Sequence, residues 1–224
     1  MEHLPKYISV LFVITTFLTI FLFYKASNNS KATLIVLLSW LLIQGVCSLF
    51  GFYTITTTFP PRFLLLVGPP FLIIFLLFIT TRGRNFIDQF DVKTLTILHF
   101  IRIPVEMVLF WLFLRGVVPQ LMTFEGRNFD VLSGVSAPVI YYFGFIKNKL
   151  GNKSILVWNF ICLALLINIV VNAIFSAPFA FQKFAFDQPN VAILYFPFIW
   201  LPCCIVPIVL AAHLIAIRQL FKKT

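Results

Sequence analysis

One apolar run carries three ionisable side chains, in the stretch Leu98-His99-Phe100-Ile101-Arg102-Ile103-Pro104-Val105-Glu106. At about 100° per residue on a helix, His99, Arg102 and Glu106 fall within an arc of roughly 60° and face one way. A charge in mid-bilayer costs between about 2.5 and more than 10 kcal/mol, so such a stripe points to a binding or proton-handling site. Arg102 and Glu106, four residues apart, are spaced to pair along the helix. Pro104 lies between them, lacks an N–H and frees the Phe100 carbonyl, so kink and charge coincide. The chemistry expected is an anion anchor at Arg102 and a counter-ion or proton carrier at Glu106.

Depth matching proposes partners for this stripe. A rise of 1.5 Å per residue from Val92 puts Arg102 roughly 15 Å and Glu106 roughly 21 Å into the membrane. Gln44 lies level with Arg102 on the second apolar run, and Asn168 level with Glu106 on the sixth, with Asn172 one turn further. Tyr141 and Tyr142 come near the middle of the fifth. His213 returns to the depth of His99, a placement suited to relaying protons or sharing a metal. In the loop Thr123-Phe124-Glu125-Gly126-Arg127-Asn128-Phe129-Asp130, Asn128 or Asp130 is placed to cap the next helix. Arg127 is placed to bind either acid, so Glu125, Arg127 and Asp130 form an external cluster, a gate or a headgroup contact.

The elements that hold these residues follow from composition. Of the 224 residues, 61% are hydrophobic and 11% charged, against about 45–50% and about 25% in soluble domains. The solvent is therefore lipid. Seven apolar runs, 7–24, 32–53, 63–79, 92–117, 129–146, 154–175 and 191–217, are bounded by charge or Pro/Gly punctuation. In a bilayer each must satisfy its own backbone and so be helical. The expectation is an all-α integral membrane protein, a bundle of seven transmembrane helices in one polytopic domain over 1–224. The first run reads as a retained anchor, because it is long, is preceded by Glu2 and Lys6, and is followed by no small-residue cleavage site. Gly68-Pro69-Pro70 breaks the third run, and Pro197, Pro202 and Pro207 break the seventh. Broken helices at membrane depth line protein or a cavity, as in many transporters.

Lys and Arg set the orientation. Eleven fall on the side of Lys25, Arg82, Lys149 and Arg218, and five on the side of Lys6, Arg62 and Arg127. By the positive-inside rule the N-terminus is outside and the C-terminus cytoplasmic, in a cell inner (plasma) membrane. Only Arg102 is left over. The net charge of +10 is thus topological, and without basic runs interleaved with aromatics no nucleic-acid partner is expected. Cys47, Cys162, Cys203 and Cys204 all lie within runs, which implies no disulfide framework.

Several families are excluded. No lysine lies between Lys183 and Lys222 to form a retinal Schiff base. His3 lies on the outside and His99 and His213 near the inside, against a three-histidine zinc site of the alkaline ceramidase type. Ser133 and Ser136, read as outer, are too far from His213 for a nucleophile and base pair. Seven spans with an outside N-terminus match the sugar-transporting and PQ-loop families in topology only, since Pro119-Gln120 is the single Pro-Gln pair and no internal repeat is evident. The partners expected are the bilayer, a small solute and protons. No cofactor, metal or catalytic residue is implied. The leading function is binding or transport of a small polar or anionic solute, with Glu106 available for proton coupling. The alternatives are an intramembrane enzyme on a lipid or isoprenoid substrate, with Glu106 or His99 as acid–base, and a non-catalytic sensor or assembly factor acting through a partner.

Overall fold

Apolar segments that must close their own backbone hydrogen bonds become helices. In the computed structural model, which describes residues 4–222, the chain is 73% helix, with no strand among the described residues. Glu2, His3 and Lys223, used above for charge and depth, lie outside the described residues.

Among the described residues, five helices are long and apolar enough to cross a membrane. They are α1 (Lys6–Ala26), α2 (Lys31–Leu49), the run of α5 (Val92–Leu98) into α6 (Arg102–Leu114), α8 (Asn152–Ser176), and Leu201–Phe221, which contains α9 (Val206–Phe221). A sixth counts if α3 (Phe63–Ile79) and α4 (Thr81–Ile87), bent by 96°, form one broken span. Shorter still is α7 (Val131–Tyr141), which continues through a π turn at Tyr142–Ile146. Eleven of the sixteen residues of α9 are buried, against four of nineteen in α2. Thus α9 is the central helix and α2 lies at the rim.

Prolines shape α6 and the last helix, but not α3, which runs unbroken through Pro69 and Pro70 and bends from α4 at Thr80. Pro104 stands third in α6, and the turn before it tightens to a 3-10 turn at His99–Ile101. The Pro207 ring excludes the usual bond to the carbonyl four residues back, that of Cys203. The chain widens there into a π turn, Leu201–Ile205, and the Cys203 carbonyl accepts from Trp40 Nε1–H of α2 at 3.0 Å. The seventh run is not one helix from 191 to 217. Pro197 supplies no N–H, and the chain upstream is already extended at Tyr195 (φ −117°, ψ 145°), so the long helix starts at Leu201.

The fifth run forms a helix over Val131–Ile146, two residues later in its start than expected, and before it residues 115–130 turn back into the bundle. Glu106 lies eight residues before the end of α6, roughly 12 Å down the helix. The loop nevertheless brings Asn128 to Glu106 and Asp130 to Arg102. It descends by crossing itself closely: a Cβ on Gly126 would stand 2.3 Å from the Gln120 carbonyl oxygen and 2.6 Å from Leu121 Cα. Only glycine fits. At the opposite end of the bundle Asp91 caps α5, accepting from Lys93 and Thr94 N–H at 3.2 and 3.0 Å.

Candidate functional site

The stripe on α5–α6 meets α7, α8, α9 and the descending loop in one buried network. It begins on α8, where Asn159 Nδ2 donates to the Ile155 carbonyl at 2.9 Å and so turns its oxygen toward His213. His213 Nδ1 donates to that oxygen at 2.9 Å, and its Nε2 accepts from Arg102 Nη2 at 2.9 Å. An arginine only donates, which makes His213 the neutral tautomer with its proton on Nδ1. Arg102 Nη1 pairs with Asp130 Oδ1, which also accepts from Ser133 Oγ at 3.4 Å. The Asp130 N–H donates to Asn128 Oδ1 at 3.0 Å, and Asn128 Nδ2 donates to Glu106 Oε1 at 2.5 Å and to the Met122 carbonyl at 3.0 Å. Each link fixes the next, so amide and imidazole orientations are determined along the chain.

Close packing makes this convergence possible. Gly134 presses α7 against the start of α6, where a Cβ would meet Ile103 Cγ1 at 3.0 Å and Arg102 Cβ at 3.2 Å. His99 stacks on His213 with ring centroids 3.8 Å apart at 12°, and Trp158 abuts His99 edge-on at 5.6 Å. His99, Arg102, Glu106 and His213 are each no more than 3% exposed. Four of their polar atoms have no protein partner: Arg102 Nε, Glu106 Oε2 and both ring nitrogens of His99. Buried polar atoms are rarely left so.

A cavity of about 140 Å³ adjoins the network between α3, α6, α8 and α9. Of its 21 lining residues, three are charged, namely Arg102, Glu106 and Asp130, and the other eighteen are apolar. Two of the lining residues, Phe71 on α3 and Ile174 on α8, are 39% and 41% exposed and mark its open side. The wall made by α3 is thinly held, with three of its seventeen residues buried and nothing within 4 Å of where a Gly68 Cβ would lie.

Several expectations change. Arg102 and Glu106 do not pair along the helix: the loop supplies Asp130 to one and Asn128 to the other. Asp130 is therefore not part of an external cluster with Glu125 and Arg127. Those two are exposed and in no ion pair among the described residues, and the Arg127 guanidinium lies 5.9 Å over the Phe184 ring. Gln44 lies away from the network and accepts from Tyr53 OH at 2.5 Å. Asn168 is exposed and donates to the Arg127 carbonyl at 2.9 Å, and Asn172 donates back to Asn168. Tyr141 and Tyr142 sit under Lys93 and Lys147 at the basic end. Ser133 belongs to the network through Asp130, since α7 starts inside the bundle, although Arg102 stands between that pair and His213.

Asn128, Asn159, Ser133 and Trp158 were not singled out as site residues from sequence. A capping asparagine and a Trp-Asn pair in an apolar run carry no local mark of a long-range partner. With both His213 nitrogens engaged, no lone pair is left for a shared metal, and no group of three or more ligating residues exists among the described residues.

The chain belongs to the DUF8737 family, a domain of unknown function, whose model matches residues 59–221. No curated protein and no solved structure matches it. The matched segment contains every residue of the network, while α1 and α2 precede it.

Proposed function

We propose that this multi-pass protein binds an amphipathic molecule from within the bilayer, its polar end at Arg102, Glu106 and Asp130 and its chain in the apolar cavity. The observation that carries the reading is the lining: three charged residues at one end and eighteen apolar ones around the rest, with Phe71 and Ile174 exposed at the rim. Pockets for small molecules are mostly apolar, with a few polar groups that orient the ligand. A freely soluble sugar or ion has no use for so much apolar wall, whereas a lipid or isoprenoid chain does. On this reading the chain crosses the membrane seven times, with α3 and α7 as shortened crossings, and its basic end faces the cytoplasm of the inner membrane.

The test is binding in phospholipid nanodiscs. Amphiphiles with chains of ten to twenty carbons are expected to bind the wild type and to lose binding in Ala173→Phe, which fills the cavity from α8. Retention of amphiphile binding in that variant, or saturable uptake of a small polar solute without amphiphile binding, would return the function to solute transport.

A further inference from the structure

The free atoms at the polar end say which head group fits, an inference that rests on the amphiphile reading above. Each terminal nitrogen of Arg102 has a partner, Asp130 for one and His213 for the other, so Nε is the guanidinium nitrogen with none. Glu106 has Oε1 bound to Asn128 and offers Oε2. Arg102 and Glu106 are neighbours on one helix face and both line the cavity. We infer that this end recognises the hydroxyl of a primary alcohol on an apolar chain, its oxygen accepting from Arg102 Nε–H and its proton donated to Glu106 Oε2.

Other head groups match this pair less well. A phosphate or carboxylate would lie against the Glu106 and Asp130 carboxyls, which line the same cavity and repel it. An ammonium has three donors and no acceptor, so Arg102 Nε would face a like charge. A hydroxyl is one donor with two acceptor positions, so it meets the unpartnered Nε and Oε2 together without adding a charge. Volume bounds what lies inside: an engineered apolar cavity of about 150 Å³ holds benzene, so the space takes the head and about six carbons. A longer chain leaves past Phe71 and Ile174 into the lipid.

The experiment uses the full chain in phospholipid nanodiscs and tritiated n-dodecanol, displaced by unlabelled dodecanol, dodecanoic acid, dodecyl phosphate or dodecylamine. Dodecanol is expected to compete at least about tenfold better than the other three, the ratio set by one hydrogen bond in a buried site. Glu106→Gln keeps the acceptor for Asn128 but turns Oε2 into a second N–H donor. It is expected to weaken dodecanol about tenfold and to raise dodecanoic acid to parity or better, with unfolding temperature unchanged. If none of the four dodecyl probes binds, the amphiphile reading itself fails. If dodecanoic acid, dodecyl phosphate or dodecylamine outcompetes dodecanol on the wild type, or Glu106→Gln leaves the preference unmoved, the hydroxyl assignment is overturned while the amphiphile reading stands.

Discussion

Arg102 holds the network together because both of its terminal nitrogens are tied to different elements, Asp130 at the start of α7 and His213 on α9. Removing one partner of a buried ion pair strands the other charge and costs about 3–5 kcal/mol, whereas replacing both with apolar residues is often close to neutral. Arg102→Met is therefore expected to destabilise strongly, and the double variant Arg102→Met, Asp130→Leu to recover most of the loss. Unfolding of the three proteins in detergent checks this through a non-additive cycle. Asn159 makes a second, smaller case. Asn159→Leu leaves the His213 Nδ1 proton without its acceptor, a loss of about 1–3 kcal/mol, while Asn159→Asp keeps an oxygen there and is expected to unfold closer to the wild type. The contrast between the two variants separates the hydrogen bond from packing. At this scale the sequence shows that Arg102 and Glu106 are exceptional, because charge in an apolar run is visible locally. It does not show their partners, since Asp130 and Asn128 come from a loop whose descent is a tertiary event.

That descent belongs to the elements. Residues 115–130 look like an ordinary connection, and nothing in their composition says that they turn inward. What permits it is steric: Gly126 lies against the Gln120 carbonyl, and Gly134 lies against Arg102 and Ile103. Gly126→Ala is expected to push the loop outward, separating Asn128 from Glu106 and Asp130 from Arg102. Dodecanol binding should fall along with thermal stability. In Gly68→Ala, where the added methyl meets nothing within 4 Å, both should hold. The prolines were partly legible. The break between Pro197 and Pro207 follows from the missing N–H groups, yet its resolution by a π turn and by Trp40 depends on which helix packs alongside. The break expected at Pro69-Pro70 is absent, since α3 runs unbroken through both and the bend comes at Thr80. The run from 191 overstates the last helix because an apolar run records lipid or protein surroundings: most of residues 191–200 are buried, Tyr195 and Phe196 excepted, yet they form only a 3-10 turn at Ala192–Leu194 before the helix from Leu201.

At the scale of the molecule, charge at the basic end ties the two halves of the chain. Asp88, between α4 and α5, accepts from Arg218 at 2.9 and 3.2 Å and from Lys222 at 2.5 Å, and these cations hold its carboxyl down at about 2. A folded-state value below the ordinary 3.8 means that the pair stabilises the fold above that pH and ceases to as pH falls through about 2. Asp88→Asn is expected to unfold earlier than the wild type at pH 7, with the gap closing between about pH 4 and pH 2 in a series of thermal melts. The same end carries the topology. Lys25, Arg84, Lys149 and Arg218 lie on the side that the positive-inside rule assigns to the cytoplasm. Five helices among the described residues are long enough to cross outright, and the disputed crossings are α3 with its 96° bend and the short α7. If both cross, the count is odd and the termini lie on opposite sides. If only one does, the termini share a side. Single cysteines at residues 28, 57, 85, 149 and 183, in a chain whose native cysteines are replaced by serine, distinguish the cases by labelling with an impermeant maleimide in intact cells. Seven crossings predict labelling at 57 and 183 and protection at 28, 85 and 149 until the membrane is opened. Labelling at 85 as at 57 would show that α3 and α4 turn back instead of crossing, which would place the open side of the cavity at the membrane surface, whereas protection at 85 with labelling at 149 would show that α7 does not cross.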